Sequence, residues 1–403
     1  FMEVINYLAG SFASLEDRHI YAKIWYDEAQ GVIGRKGKLG RVIYMTNIGT
    51  IPDETSVKVK VGEHVIGTID EAFLEKLKPR DVFVLGGNTY EFKFARGMTA
   101  QVSAAEGKKP TVPSWFSEML PLSFDLALDI CRFRRLVEDK FVNKSSKKEI
   151  INFINSHLYV DENAANAIYE YMREQYLYAK LPTDKRLLIE FYNEDNKKYV
   201  VFHSLYGRRV NDVLSRAIAY ALSRLQHKDV EIGINDNGFY LASTNNMQAV
   251  RALTLLEPKE LRKVMDKAIE RTEVLKRRFR HCATRSLMIL RQYKGHVKKV
   301  GRQQVSSMIL MSAVKRISED FCILKEARRE VLEDLMDIEN TKKVLGWIKN
   351  GEIKIKRVET KIPSPFSLAL IIQGYADLIK IEDKLAFLRR MHLEIQKQIE
   401  ARI

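Results

Sequence analysis

Three prolines, Pro110, Pro113 and Pro121, fall close together and divide the chain into regions of different periodicity. Each fixes φ, removes a backbone donor and pushes its predecessor into an extended conformation, so residues 110–121 form a rigid connector and cannot be a helix. Before it apolar residues alternate with polar ones, as Val57, Val59 and Val61 do with lysines; after it they recur at helical spacing. Trp115 and Phe116 sit inside the connector. Two readings of them stand. They plug the junction between two modules, or one offers a flat face to a nucleobase.

The partner class follows from charge. The 403 residues carry a formal charge of +15 and a pI near 9.4, and 46% are hydrophobic. Such a chain can bury real cores, and its cation excess calls for a polyanion, nucleic acid before an anionic membrane surface. Cys131, Cys282 and Cys322 are far apart. They fit neither a disulfide framework nor a zinc site and suggest a reducing, cytoplasmic setting. The longest apolar runs, 308–314 and 366–372, are too short to span a bilayer. Met2, Ile5 and Leu8 have helical spacing with no cap before them, which implies a C-terminal piece of something longer.

Taken in order, the pattern predicts an α+β, mostly helical chain. Residues 1–48 read as the C-terminal part of a winged helix: a helix over 2–14, a strand over 20–26, and a strand pair over 31–46 around a glycine-rich basic tip. Arg35, Lys36, Lys38 and Arg41 occupy that wing, with glycines that let a backbone approach phosphate. A solvated basic turn is the plainer reading. Residues 49–121 read as a strand-rich, barrel-like module plus the connector. Residues 122–184 form a helical segment capped at Ser123 and Asp161, 185–245 a ββαββ insertion, and 246–403 a helical C-terminal domain. Before the insertion's helix, Arg208 and Arg209 follow Gly207, able to hold a phosphate or to pair with a carboxylate.

A long helix is expected from Pro258 through Arg280 or beyond. Residues 271–302 carry eleven Lys or Arg, among them Arg277, Arg278, Arg280 and Arg302, against one acid, Glu273. On an ordinary solvated face acids alternate with bases, so this run reads as a polyanion surface. The alternative is pairing with acidic helices such as 326–333. There is no nucleotide-binding loop, no H-E-x-x-H, no metal-ligand cluster and no G-x-S-x-G.

Short motifs nonetheless fall in a specific order. Ile24-Trp-Tyr26, Gly49-Thr-Ile-Pro-Asp53, Gly67-Thr-Ile-Asp-Glu71, Val112-Pro-Ser-Trp115, His203-Ser-Leu-Tyr-Gly-Arg-Arg-Val210, Arg278-Phe-Arg-His-Cys-Ala283 and Pro363-Ser-Pro-Phe366 resemble the large-helicase-related (Lhr) proteins, their archaeal members most. The resemblance implies the end of a winged helix plus the family's own C-terminal domain. It also implies a superfamily-two motor moving 3′ to 5′ on single-stranded DNA, whose RecA-like domains, with their ATP and magnesium sites, lie outside this chain. No cofactor is expected within it. By the same resemblance Ile51 and Trp115 contact the tracking strand, although Ser114 stands where many relatives carry an aromatic. The expected function is clamping single-stranded DNA, or one strand of a DNA or RNA–DNA duplex, with the motor domains as partner and no membrane. A DNA (uracil) glycosylase activity is the alternative, calling on Asp334, Asp337 or the Gln303–Gln304 pair without spacing that selects them.

Overall fold

The computed structural model describes residues 1–10, 24–37, 40–47, 49, 56–74, 77, 79–105, 120–194, 197–227, 230–293, 296–297, 300–375 and 381–400. Ile51, Lys38 and the connector through Met119, Trp115 included, lie outside the described residues, as do Lys294, Lys298 and Lys299. The chain divides into two compact units. One holds residues 1–81, 85–106 and 269–331; the other holds 107–268 and 332–403, with 82–84.

The first unit starts with the helix Met2–Leu8, then the hairpin of β1 (Ile24–Asp27) and β2 (Val32–Arg35), in which Ile24 faces Arg35 and Asp27 faces Val32. Its turn is set by Asp27, whose Oδ1 accepts from the amides of Ala29 (3.0 Å) and Gln30 (3.2 Å), and by Gly31 at φ +65°. This corrects the strand pair expected over 31–46: after β2 the chain forms a helix, Gly40–Asn47. Val42, Ile43 and Tyr44 have strand propensity, but their context overrides it. Buried Asn47 donates to the carbonyls of Ile43 (2.9 Å) and Gln292 (3.0 Å) and accepts from the amides of Arg291 and Gln292. Arg35 thus ends the outgoing strand and Lys36 follows it, and Arg41 lies on a helix, not on a second strand.

Five further strands form a curled sheet: β3 (Ser56–Val61), β4 (His64–Asp70), β5 (Val82–Leu85), β6 (Asn88–Ala95) and β7 (Thr99–Ala104), in the order β4-β3-β7-β6-β5. β3 runs parallel to β7 and antiparallel to β4. The curl is deep enough to bring the edge strands together. A methyl group added at Gly67 of β4 would stand 3.0 Å from Leu85 of β5. Val57, Val59, Phe92, Ala100 and Val102 are buried in this sheet.

The helices Glu273–Arg285, Val300–Ile317 and Cys322–Arg329 complete the first unit. The single long helix expected from Pro258 is instead two. One ends at Ile269, and Thr272 caps the next, its Oγ accepting from the Leu275 amide at 3.4 Å.

In the second unit β8 (Arg186–Glu194), β9 (Lys197–His203), β10 (Glu231–Asn235) and β11 (Gly238–Ser243), with the helix Arg208–Gln226 between β9 and β10, are the expected ββαββ elements. Their sheet extends further along the sequence. β12 (Lys354–Glu359) joins it parallel to β8, Lys354 opposite Arg186, giving the order β10-β11-β9-β8-β12. Three helices precede it: Phe124–Val142 capped by Ser123, Lys147–Leu158 with a Ser146–Glu149 capping box, and Glu162–Ala179 capped by Asp161. They enclose Phe133, Val137, Ile150, Ile154, Tyr169 and, from the Pro363-Ser-Pro-Phe366 motif, Phe366. Full burial of a side chain such as Ile154 contributes about 1.5–3 kcal/mol. Among the described residues no helix is long and apolar enough to cross a membrane, and no cluster of His, Cys, Asp or Glu could hold a metal ion.

Candidate nucleic-acid interface

The β1–β2 hairpin carries a flat aromatic surface. Trp25 of β1 faces Gly34 of β2 across the ladder, and a Cβ at Gly34 would lie 2.4 Å from the indole ring. Only glycine lets the ring lie flat across the neighbouring strand. The indole residue is still 49% exposed, with Val32 and Ile33 also open to solvent. Arg35 and Lys36 at the end of β2, and Arg41 on the following helix, are exposed, and none is tied to an acid among the described residues. Sequence reasoning gives Trp25 no role. The signal is nonetheless present: an aromatic paired with glycine across a short hairpin.

The basic run divides between inside and outside. Arg280 is 2% exposed. Its guanidinium meets both oxygens of Glu71 (2.8 and 3.3 Å) and donates to Gln304 Oε1 (3.2 Å) and His281 Nε2 (3.1 Å). It is a core ion pair and not a surface cation. Arg285 and Arg278 converge on buried Glu330, and Lys276 pairs with Glu273. The pairing alternative, with the acids of 326–333, accounts for two of these arginines. Arg277 is half-buried on the same helix, and Arg271 and Arg302 are exposed. Burial first, then the charges of Arg280, Arg278, Arg277 and Arg285, push His281 down to about 3, so its ring is neutral and can accept from Arg280.

The His203–Val210 motif, within the second unit, seats the end of the connector. Gly207 has φ +83°, and a Cβ there would stand 2.4 Å from the Leu122 carbonyl oxygen. Asp236 Oδ1 accepts from the amides of Leu122 (3.0 Å) and Arg208 (2.8 Å). Arg209 Nη2 donates to the carbonyls of Glu333 (2.6 Å) and Met336 (3.1 Å), and no carboxylate lies at ion-pair distance among the described residues. Nearby in sequence, His203 hydrogen-bonds the fully buried Glu190 (2.8 Å), which also accepts from Thr360, Ser364 and Ser367. Burial pushes the Glu190 carboxyl up, but the hydrogen bonds and charge of His203 and the two serines outweigh it and hold the group below its ordinary range. This buried carboxylate fastens the Pro363-Ser-Pro-Phe366 motif to the sheet.

Two of the glycosylase candidates, Asp337 and Gln304, make structural hydrogen bonds. Asp337 caps the helix Ile338–Lys349, accepting from the Asn340 amide at 3.0 Å, and Gln303 and Gln304 are buried.

Fold and motifs together define a class of protein, and the comparisons agree. Residues 1–112 match the winged helix domain of large helicase-related proteins, so the hairpin and the curled sheet fall in one matched stretch. Residues 181–367 match the DEAD/H associated family. The chain belongs to the large-helicase-related (Lhr) proteins. More particularly, it is 54% identical over 401 residues to the ATP-dependent helicase Lhr-Core of Methanothermobacter thermautotrophicus, covering 99% of this chain and 46% of that protein. It is 45% identical to the ATP-dependent helicase Lhr-Core protein 2 of Thermococcus barophilus, with 99% and 46% covered. The chain thus spans about half the length of the curated relatives it matches. Its fold resembles the Mycobacterium smegmatis helicase Lhr bound to ssDNA and AMP-PNP, with a TM-score of 0.64 and 20% identity over 86% of this chain and 40% of that one.

Proposed function

We propose that this chain is the strand-gripping C-terminal region of an ATP-dependent 3′-to-5′ DNA helicase, pulled along by RecA-like motor domains that bind ATP and magnesium. The observation that carries the reading is the hairpin, which combines a half-exposed indole laid across Gly34 with exposed Arg35 and Lys36 at the end of the same strand. Such a surface holds single strands without reading sequence: cations neutralise phosphates, and a ring stacks on any base. Arg41, Arg302 and Lys38 add charge to the same task, and Ile51 and Trp115 engage unstacked bases. The mycobacterial relative's complex with single-stranded DNA supports this choice of ligand. Gly207 and Asp236 hold Leu122, the residue that follows the connector.

Binding of fluorescent oligothymidylate tests the reading. Trp25→Ala removes one stacking partner and costs about 1–3 kcal/mol of affinity. Replacing Arg35, Lys36 and Arg41 by glutamine flattens the salt dependence by about 0.7 for each phosphate no longer neutralised. Unchanged affinity and slope in both variants refute the assignment of this surface. A glycosylase needs a polar group free to activate water beside a flipped base. Asp337 and Gln304 are held in structural bonds, and abasic sites formed in uracil-containing single-stranded DNA would favour this alternative through Asp334 or Gln303.

A further inference from the structure

The helix Phe124–Val142 presents three arginines close together, and their partners differ. Arg132 pairs with Asp129 at 2.8 Å, and Arg135 pairs with Asp184 at 2.8 Å and Asp139 at 3.9 Å. Arg134 has no carboxylate at ion-pair distance among the described residues. Its Nε is sealed from solvent without an acceptor. Its guanidinium lies over the Phe366 ring, 4.6 Å from the centroid. The same ring meets Tyr171, with centroids 4.7 Å apart and planes at 36°. The Tyr171 hydroxyl donates to the Pro365 carbonyl over a long 3.4 Å, so the Phe366 contact also holds the ring, and the residue stays 45% exposed.

A half-buried cation with no counter-charge is costly, and natural folds keep one where an anion arrives. Burial pushes the Arg134 guanidinium down from its ordinary value, by more than Cys131 and Tyr171 push it up. On the helix that carries Tyr171, the acids next to it are already engaged: Glu170 by Lys147 (2.6 Å) and Arg173 (3.9 Å), Glu174 by His392 (3.3 Å). Paired in this way, they repel an incoming phosphate less than free carboxylates do. A planar fork matches phosphate oxygens, and an exposed, fixed phenol ring matches a base.

We propose that Arg134 and Tyr171 form a nucleotide subsite in the second unit, the guanidinium taking a backbone phosphate and the outer face of Tyr171 taking the adjoining base. The subsite rests on the strand-gripping function and adds to it an interaction that does not involve the hairpin, Ile51 or Trp115. Phe366 is the shared floor, and the Glu190 cluster that fastens its motif sets the position of both groups.

The test is oligothymidylate binding by the full chain across a salt series, with melting followed alongside. Arg134→Gln should lower affinity about three- to tenfold and reduce the log–log salt slope by about 0.7, one single-strand phosphate. Arg134→Lys keeps the slope and recovers part of the affinity. Tyr171→Leu lowers affinity about fivefold or more at unchanged slope. Photo-crosslinking of wild-type chain to oligonucleotide bearing 5-iodouracil should mark the peptide containing Tyr171, a readout that needs no variant to fold. Strong wild-type binding with no effect of Arg134→Gln on slope or affinity, or no crosslink at Tyr171, overturns the subsite and leaves the strand-gripping function intact. A wild-type chain that does not bind single strands overturns both.

Discussion

Removing Glu71 should unfold the first unit selectively. The Arg280–Glu71 side chains are 2% and 8% exposed, and the fork makes two bonds to the carboxylate, the shorter 2.8 Å. Glu71→Ala leaves the cation in place with Gln304, neutral His281 and the weakly accepting Met98 thioether as its acceptors among the described residues. Breaking a buried pair by deleting one partner costs about 3–5 kcal/mol, because the remaining charge stays desolvated. Against a typical domain stability of about 5–15 kcal/mol, that is enough to populate the open state. Hydrogen exchange read by mass spectrometry separates the units. Peptides from β3–β7 and the helix Glu273–Arg285 should lose protection by about that amount, and those from β8–β12 should not change. The double variant Glu71→Leu with Arg280→Met should regain most of it, since apolar replacements of similar volume often match a buried pair. If Glu71→Ala shifts protection by less than about 1 kcal/mol, the reasoning from burial and geometry fails.

Other perturbations have equally definite outcomes. Gly34→Ala should lift the Trp25 ring, changing its fluorescence and weakening oligothymidylate binding, because the new Cβ would sit 2.4 Å from the indole. Gly207→Ala should destabilise the second unit by about 1–3 kcal/mol and loosen the hold on Leu122, raising its amide exchange, since φ +83° is unfavourable for a Cβ that also meets the Leu122 carbonyl oxygen. The depressed pKa of His281 ties stability to pH. Its contribution is complete above the ordinary value of 6.5 and is lost as pH falls toward about 3, because the unfolded chain binds the proton first. Between about pH 6.5 and 5 the slope should approach 1.4 kcal/mol per pH unit, and His281→Gln, which keeps an acceptor for Arg280, should flatten it. A urea titration showing equal slopes for the two chains would refute that assignment.

Local chemistry is legible in the sequence, and tertiary pairing is not. Ser123 and Asp161 announce their helices because a cap acts on amides two or three residues away. The ββαββ elements are legible for the same reason, from alternation and turn residues. The 40–47 helix reads as a strand because Val42-Ile43-Tyr44 carries strand propensity, while the bonds that decide against a strand come partly from Asn47 to Arg291 and Gln292, 244 and 245 positions away. Thr272 does not stand out as a cap because the apolar spacing on either side is continuous. The basic run looks like a surface since its counter-charges, Glu71 and Glu330, are 209 and 45 positions from Arg280 and Arg285. Net charge density cannot distinguish a phosphate-facing helix from one that pairs inward. Of the candidate site, exposed Arg35, Lys36, Arg41 and Arg302 stand where a polyanion can reach them. Arg280 and Arg209 share the same basic pattern but hold the fold together.

The central claim is that this chain holds single strands through phosphate neutralisation and stacking, and the salt dependence of oligothymidylate affinity tests it most directly. Phosphates neutralised by Arg35, Lys36, Arg41 and Arg302 predict a log–log slope of about −3 or steeper, at about 0.7 per phosphate. Double-stranded DNA of the same length should bind less well, since its bases are not free to stack. An isotherm unchanged between about 50 and 200 mM salt, or no binding at either, would contradict the account.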